Sequence, residues 1–143
     1  MQVFIGADHR GYKLKNQLIK WLKDQGYSTE DCGAHDYNQA DDYVDYVLKV
    51  TQKMSLYPDV NGQDPQAMGI VICGSGGGVS IAANKIKGIR CVLGLNPEQV
   101  LAARQDDNTN VLALASDFIE LDGAIDLIES FLKTKFSQAE RHV

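Results

Sequence analysis

Cysteine, proline and tryptophan are scarce in this chain, at three, three and one residues. Cys32, Cys73 and Cys91 are odd in number and far apart, which excludes a disulfide framework and a metal-type cysteine pair and favours reduced thiols in the cytosol. Basic residues are outnumbered, 14 against 19 acidic, for a formal net charge of −5. That balance argues against nucleic acid or an anionic membrane as partner. No apolar window approaches a membrane span. The apolar run at the N-terminus is too short for a signal peptide and lacks its basic flank. Internal repeats and low-complexity tracts are missing, and His35 and His142 stand at no metal-ligand spacing.

What remains is an ordinary globular composition, 44% apolar and 23% charged, over 143 residues, the length of one domain. Short β-rich runs alternate with longer helical patterns. Strands are expected at residues 3–7, 28–32, 68–73, 90–95 and 110–115. Helices are expected at 13–25, 42–57, 79–86, 97–105 and 121–135, with a loop at 58–66. The first helix carries an apolar stripe of Leu14, Leu18, Ile19 and Leu22, the second one of Val44, Val47, Leu48 and Met54. Five such βα units imply an α/β fold: a three-layer αβα sandwich around a five-stranded, parallel, Rossmann-like sheet. Ligands bind such sheets outside the carboxyl ends of the strands. That rule selects the loops around residues 6–11, 33–42, 74–78, 96 and 116–120.

The most distinctive local feature is Cys73-Gly74-Ser75-Gly76-Gly77-Gly78, between a buried strand and a helix. Glycines there let a ligand approach the backbone and expose several N–H groups, and the helix adds its positive end. No Gly-Lys-Ser/Thr follows, so this is not a P-loop. Cys73 reads two ways, as a reactive thiol favoured by those donors or as an inert core cysteine. Asp8-His9-Arg10-Gly11 follows the first strand. There His9 and Arg10 can hold an anion and Asp8 can orient a sugar hydroxyl, or Asp8 simply caps a turn. Asp41, Asp42 and Tyr43 either cap the second helix or line the pocket. The polar run 104–110 is either a turn or a site loop. Cys32 and Cys91 read as core.

Three blocks together resemble the type B ribose-5-phosphate isomerase and galactose-6-phosphate isomerase family. They are Gly6-Ala7-Asp8-His9-Arg10-Gly11; Ile72-Cys73-Gly74-Ser75-Gly76 with Ser80-Ile81-Ala82-Ala83-Asn84-Lys85 and Gly88-Ile89-Arg90; and Asn108-Thr109-Asn110-Val111. Phe136-Ser137 with Glu140-Arg141-His142 adds to the likeness, which covers nearly the whole chain. The resemblance implies a cytoplasmic, metal-free and cofactor-free aldose–ketose isomerase of a sugar phosphate, a homodimer or dimer of dimers with sites shared between subunits. It casts Cys73 as the base that moves a proton between C1 and C2 through an enediolate. Ser75 supports that base, and the backbone around Gly74, Gly76, Gly77 and Gly78 stabilises the oxyanion. Asp8, His9, Tyr43, Asp107 and Arg141 are assigned to substrate binding.

The departures are equally specific. The family has a His-Asn pair, whose His opens the furanose ring, where this chain has Asp106-Asp107. It has a phosphate-binding Arg where this chain has Asp117, and it continues after the residue matching Arg141 into a terminal helix with another such Arg. Gly77 and Val44 replace a larger residue and a Pro. Three readings stay open: an isomerase in which Asp106 performs ring opening, an isomerase of a different or unphosphorylated sugar, and a non-catalytic sugar-binding or partner subunit. Asp8, Cys73 and Asp106 are expected to converge at one rim of the sheet.

Overall fold

The computed structural model describes residues 1–58 and 64–142. Most of the expected 58–66 loop, residues 59–63, therefore lies outside the described residues, as does Val143. The elements are β1 (Gln2–Ala7), α1 (Tyr12–Asp24), β2 (Ser28–Asp31), α2 (Tyr43–Met54), β3 (Ala67–Cys73), α3 (Gly77–Asn84), β4 (Cys91–Leu93), α4 (Pro97–Asp107), β5 (Val111–Ala115) and α5 (Leu121–Lys133). Single 3₁₀ turns occupy His9–Gly11 and Glu140–His142.

All five strands pair in parallel, in the order β2-β1-β3-β5-β4. The central strands β1, β3 and β5 are nearly continuous apolar runs because both their faces are covered. One face buries Val3, Ile5, Ile70, Ile72, Leu112 and Leu114 beneath Leu14, Leu18 and Leu22 of α1, Val100 of α4, and Leu127, Ile128 and Phe131 of α5. The other buries Phe4, Val71, Val111 and Ala113 beneath Val47, Val50 and Met54 of α2 and Val79 and Ala83 of α3. In α2 the buried stripe is Val47, Val50, Thr51 and Met54, while Leu48 is exposed. The apolar stripe read from the sequence places Leu48 inside, and the structure corrects that. The face that touches the sheet is set by Gly6 and Gly69, where Val50 comes within 3.0 Å of a would-be Cβ, and that rotation turns Leu48 outward.

α3 starts inside the glycine run, at Gly77, because Gly76 takes a left-handed conformation (φ 74°) that turns the chain sharply into the helix. β4 is only three residues long, and the Asn84 side chain completes its edge: the amide donates to Cys91 O and accepts from Cys91 N. Both ends of the polar run 104–110 have structural work. Arg104 is fully buried and donates to the backbone carbonyls of Thr109 (2.5 Å) and Thr134 (3.1 Å), while Asn110 clasps Gly88 and Arg90.

The chain moves outward from β1 to β2, then returns to place β3 on β1's other side. Neighbouring strand ends β1 and β3 therefore send their loops apart and leave a crevice between them. Gly11 holds the wall of that crevice, since a Cβ there would stand 2.6 Å from Ile72 Cγ2 and 2.9 Å from Ala7 Cβ. Gly11→Ala should accordingly cost about 1–3 kcal/mol of stability in urea unfolding, as overpacked sites do. A loss near zero would show that the β1–β3 junction is looser than described.

Candidate active site

Three chain segments meet at the carboxyl ends of β1, β3 and β5. Asp8 leaves β1 with its amide on Ile72 O (3.4 Å), one residue before Cys73. Ser116 and Asp117 leave β5 with their amides on Cys73 O (2.9 Å) and Gly74 O (3.0 Å). The Ser116 hydroxyl lies within hydrogen-bonding distance of both Arg10 O (2.9 Å) and Cys73 O (3.1 Å). The cysteine loop is thus held by backbone bonds from both neighbouring strands.

Cys73 is buried, and its Sγ accepts the Gly76 N–H at 3.2 Å. Ser75 is exposed and its Oγ accepts the Gly77 N–H at 3.2 Å. The first-turn amides of α3 open beside them, in the position that favours a negative oxygen. Other groups rest directly on the loop backbone. A Cβ on Gly74 would overlap the Arg10 guanidinium, and a Cβ on Gly78 would stand 2.7 Å from the Tyr43 ring. Tyr43 is the first residue of α2, whose cap is Asp42, accepting from Val44 N at 3.0 Å.

Asp8 is 5% exposed, and its Oδ1 accepts from Arg10 N (3.0 Å) and Gly11 N (3.3 Å). It caps the 3₁₀ turn, as the plainer sequence reading has it. His9 is oriented by Asp41, whose Oδ1 lies 2.7 Å from Nδ1 and accepts the His9 amide at 3.1 Å. A carboxylate only accepts, so Nδ1 carries the proton and Nε2 is left as the ring's other nitrogen. Tyr46 donates its hydroxyl to Asp41 Oδ2 at 3.2 Å. Burial, and after it the Asp41 carboxylate, push the Tyr46 phenol up and keep it a donor. Asp8, His9 and Asp41 have ligand atoms within 4.8 Å of one another, and these hydrogen bonds account for that closeness.

The remaining candidates do not join this group within one chain. Asp106 and Asp107 end α4, which starts at the carboxyl end of β4 and runs back to the amino end of β5. Asp106 Oδ1 stands 3.7 Å from His142 Nδ1, beside Arg141, at the opposite rim. The convergence of Asp106 with Asp8 and Cys73 therefore fails in the single protomer, because a helix between parallel strands must deliver its C-terminus to the far edge. Asp117 does lie at the Cys73 rim, where its carboxylate pairs with the Arg10 guanidinium. Ser116 is the contributor that the motifs did not single out, while the parts played by Arg10 on Gly74 and by Asp41 on His9 needed the fold to be seen. Arg10 and Asp117 are 107 residues apart, so only the fold joins them.

Burial, with Glu30 and Asp31 nearby, pushes Cys32 up to about 11, and burial pushes Cys91 up to about 12. Both stay protonated at neutral pH. Iodoacetamide at pH 7.5 should therefore alkylate Cys73 before either of them, read by peptide mass mapping. Labelling of Cys32 or Cys91 first would contradict this arrangement.

Residues 3–143 match the family model described as Ribose/Galactose Isomerase. A protein of Mycobacterium leprae named "Ribose-5-phosphate isomerase B" is 36% identical over 142 residues, 99% of this chain and 83% of its own length. A "Probable ribose-5-phosphate isomerase B" of Mycoplasma pneumoniae is 37% identical over 98% of this chain and 87% of its own. Among solved structures, ribose-5-phosphate isomerase B of Clostridium thermocellum aligns with a TM-score of 0.88 and 38% identity, over 99% of this chain and 90% of that one. The Mycoplasma genitalium enzyme with bound ribulose-5-phosphate aligns with a TM-score of 0.86 and 34% identity, over 98% and 88%. With sequence and fold agreeing over almost its full length, this chain belongs to the ribose/galactose isomerase family.

Proposed function

We propose that this chain interconverts an aldose and a ketose sugar phosphate of the ribose 5-phosphate/ribulose 5-phosphate type, with Cys73 as the base. The observation that carries this reading is the buried thiol at the head of the Gly74–Gly78 turn, its sulfur already taking the Gly76 N–H. The relatives' names and the ribulose-5-phosphate bound to the Mycoplasma genitalium enzyme supply the substrate class.

On the open-chain aldose, the Cys73 thiolate takes the proton from C2. The C2–H electron pair forms the C1=C2 bond, and the carbonyl oxygen on C1 takes the negative charge. The thiol then returns the proton to C1 while the hydroxyl proton moves from O2 to O1, which leaves the ketone at C2. Ser75 and the amides of Gly76, Gly77 and Gly78 are the donors for the oxyanion, each such donor contributing about 2.7–4 kcal/mol in acyl-transfer enzymes. No metal or cofactor enters this sequence of steps. Three free thiols fit the reducing cytoplasm as its setting.

Asp106, Asp107 and Arg141 reach this chemistry only from a second copy. In this reading Asp106 of that copy exchanges the proton that opens the furanose ring, and Asp107 and Arg141 bind the sugar phosphate. The surface beside the cysteine loop suits such a partner. A hollow of about 280 Å³ lined by Ser75, Leu93, Leu95, Phe118 and Ile119 opens there, and Leu95 and Phe118 are 71% and 81% exposed. Isolated apolar side chains are common on surfaces, but a contiguous group next to a site points to an interface.

Subunit mixing tests this reading. Cys73→Ala and Asp106→Asn should each be inactive on ribose 5-phosphate while keeping the circular dichroism of the wild type. Refolded together in equal amounts, they should recover about a quarter of wild-type activity, because half the dimers are mixed and each holds one intact site. Full activity of Cys73→Ala alone would remove the base from its role. Absence of recovery would place the complete site within one chain.

A further inference from the structure

The loops at the carboxyl rim hold one basic side chain between them. Residues 8–11, 32–42, 74–76, 94–96 and 116–120 contain the acids Asp8, Asp36, Asp41, Asp42, Asp117 and Glu120, but no Lys or Arg other than Arg10. Arg10 is also closely held. Its amide donates to Asp8 Oδ1, its carbonyl lies 2.9 Å from the Ser116 hydroxyl, and its guanidinium lies across Gly74 and pairs with Asp117. Asp117 is itself fixed by its amide on Gly74 O. About half of the Arg10 side chain stays exposed, at 52%, so donors of its five-donor fork remain open above the glycine loop.

We propose that Arg10 binds the anionic group of the substrate from the copy that carries Cys73, facing Arg141 of the second copy, and that Asp117 sets the strength of that grip. The proposal rests on the sugar-phosphate reading above and deepens it. Where the resemblance places a cation after β5, this chain has an acid, and the cation stands after β1 on the other end of the same ion pair. The two loops thus keep a guanidinium at the rim with its position exchanged. The exchange changes the electrostatics. A phosphate within reach of Arg10 also feels the Asp117 carboxylate, which weakens attraction without removing the donors. Holding the guanidinium on Gly74 reduces the side-chain freedom that binding would otherwise have to freeze.

Calorimetric titration of the full chain with ribose 5-phosphate, at about 0.01 M and about 0.15 M salt, tests this. Arg10→Gln should weaken binding at least tenfold and flatten its salt dependence. In steady-state assays it should raise KM far more than it lowers kcat, as loss of an interaction present in ground and transition states does. Asp117→Asn keeps an acceptor for Arg10 but drops the charge, and should tighten binding severalfold. Lys20→Gln, on the exposed face of α1, controls for net charge and should change nothing. If Arg10→Gln does not fold, Arg10→Lys serves in its place, with a severalfold loss because the planar fork is gone. Binding by the Arg10 variant within twofold of wild type, or weaker binding by Asp117→Asn, overturns the proposal. If that happens while Cys73-dependent turnover persists, the isomerase reading stands alone. If the Arg10 effects appear on a protein with no turnover, the isomerase reading fails and the anion site stands.

Discussion

The backbone of residues 74–78 must be reachable from two sides at once, and the rest of the site depends on that constraint. The Arg10 guanidinium lies on Gly74 from the β1 side, and the Tyr43 ring lies on Gly78 from the α2 side. Between them Gly76 turns the chain with φ 74°, which brings its amide to the Cys73 sulfur and starts α3. A side chain at Gly74 would displace Arg10, and one at Gly78 would displace Tyr43. A side chain at Gly76 would be strained by its backbone conformation and crowd Leu93 and the β5 backbone. Three glycines therefore set the thiol's donor and the place of two neighbouring side chains together.

The sheet order explains why this loop is the site. Strands β1 and β3 are neighbours whose connections leave in opposite directions, so the crevice at their carboxyl ends is open by topology. Charge is divided between the two rims. Asp8, Asp41, Arg10 and Asp117 are gathered at the carboxyl rim, whereas Asp106, Asp107, Arg141 and His142 are gathered at the amino rim. The shared site proposed above would join one copy's carboxyl rim to another copy's amino rim, and the exposed Leu95 and Phe118 border the first of these.

Much of the fold was legible in the sequence because strand and helix patterns differ in period and the central strands are long apolar runs. Residues 68–73 read as a buried strand and form β3, bounded at Ala67–Cys73. The opposite-rim position of Asp106 was legible too, since the last turn of a helix before a parallel strand lies at the amino edge. The orientation of α2 was not legible, because Val44, Leu48 and Val47 are equally apolar and only the close approach at Gly6 and Gly69 selects a face. Nor could the sequence separate Asp41 from Asp42. Adjacent acids look alike until the fold gives Asp42 to the α2 cap and Asp41 to His9. The Arg10–Asp117 pair joins residues from opposite ends of the chain and needs the strand order to be known.

The central claim is that Cys73 moves the proton between the two carbons of a sugar phosphate. Proton NMR of ribulose 5-phosphate incubated with the protein in D₂O tests it most directly. Wild type should wash deuterium into the C1 position of ribulose 5-phosphate and the C2 position of the ribose 5-phosphate formed, and Cys73→Ala should wash in none while still binding the sugar. Deuterium entering at the wild-type rate in Cys73→Ala would contradict the account.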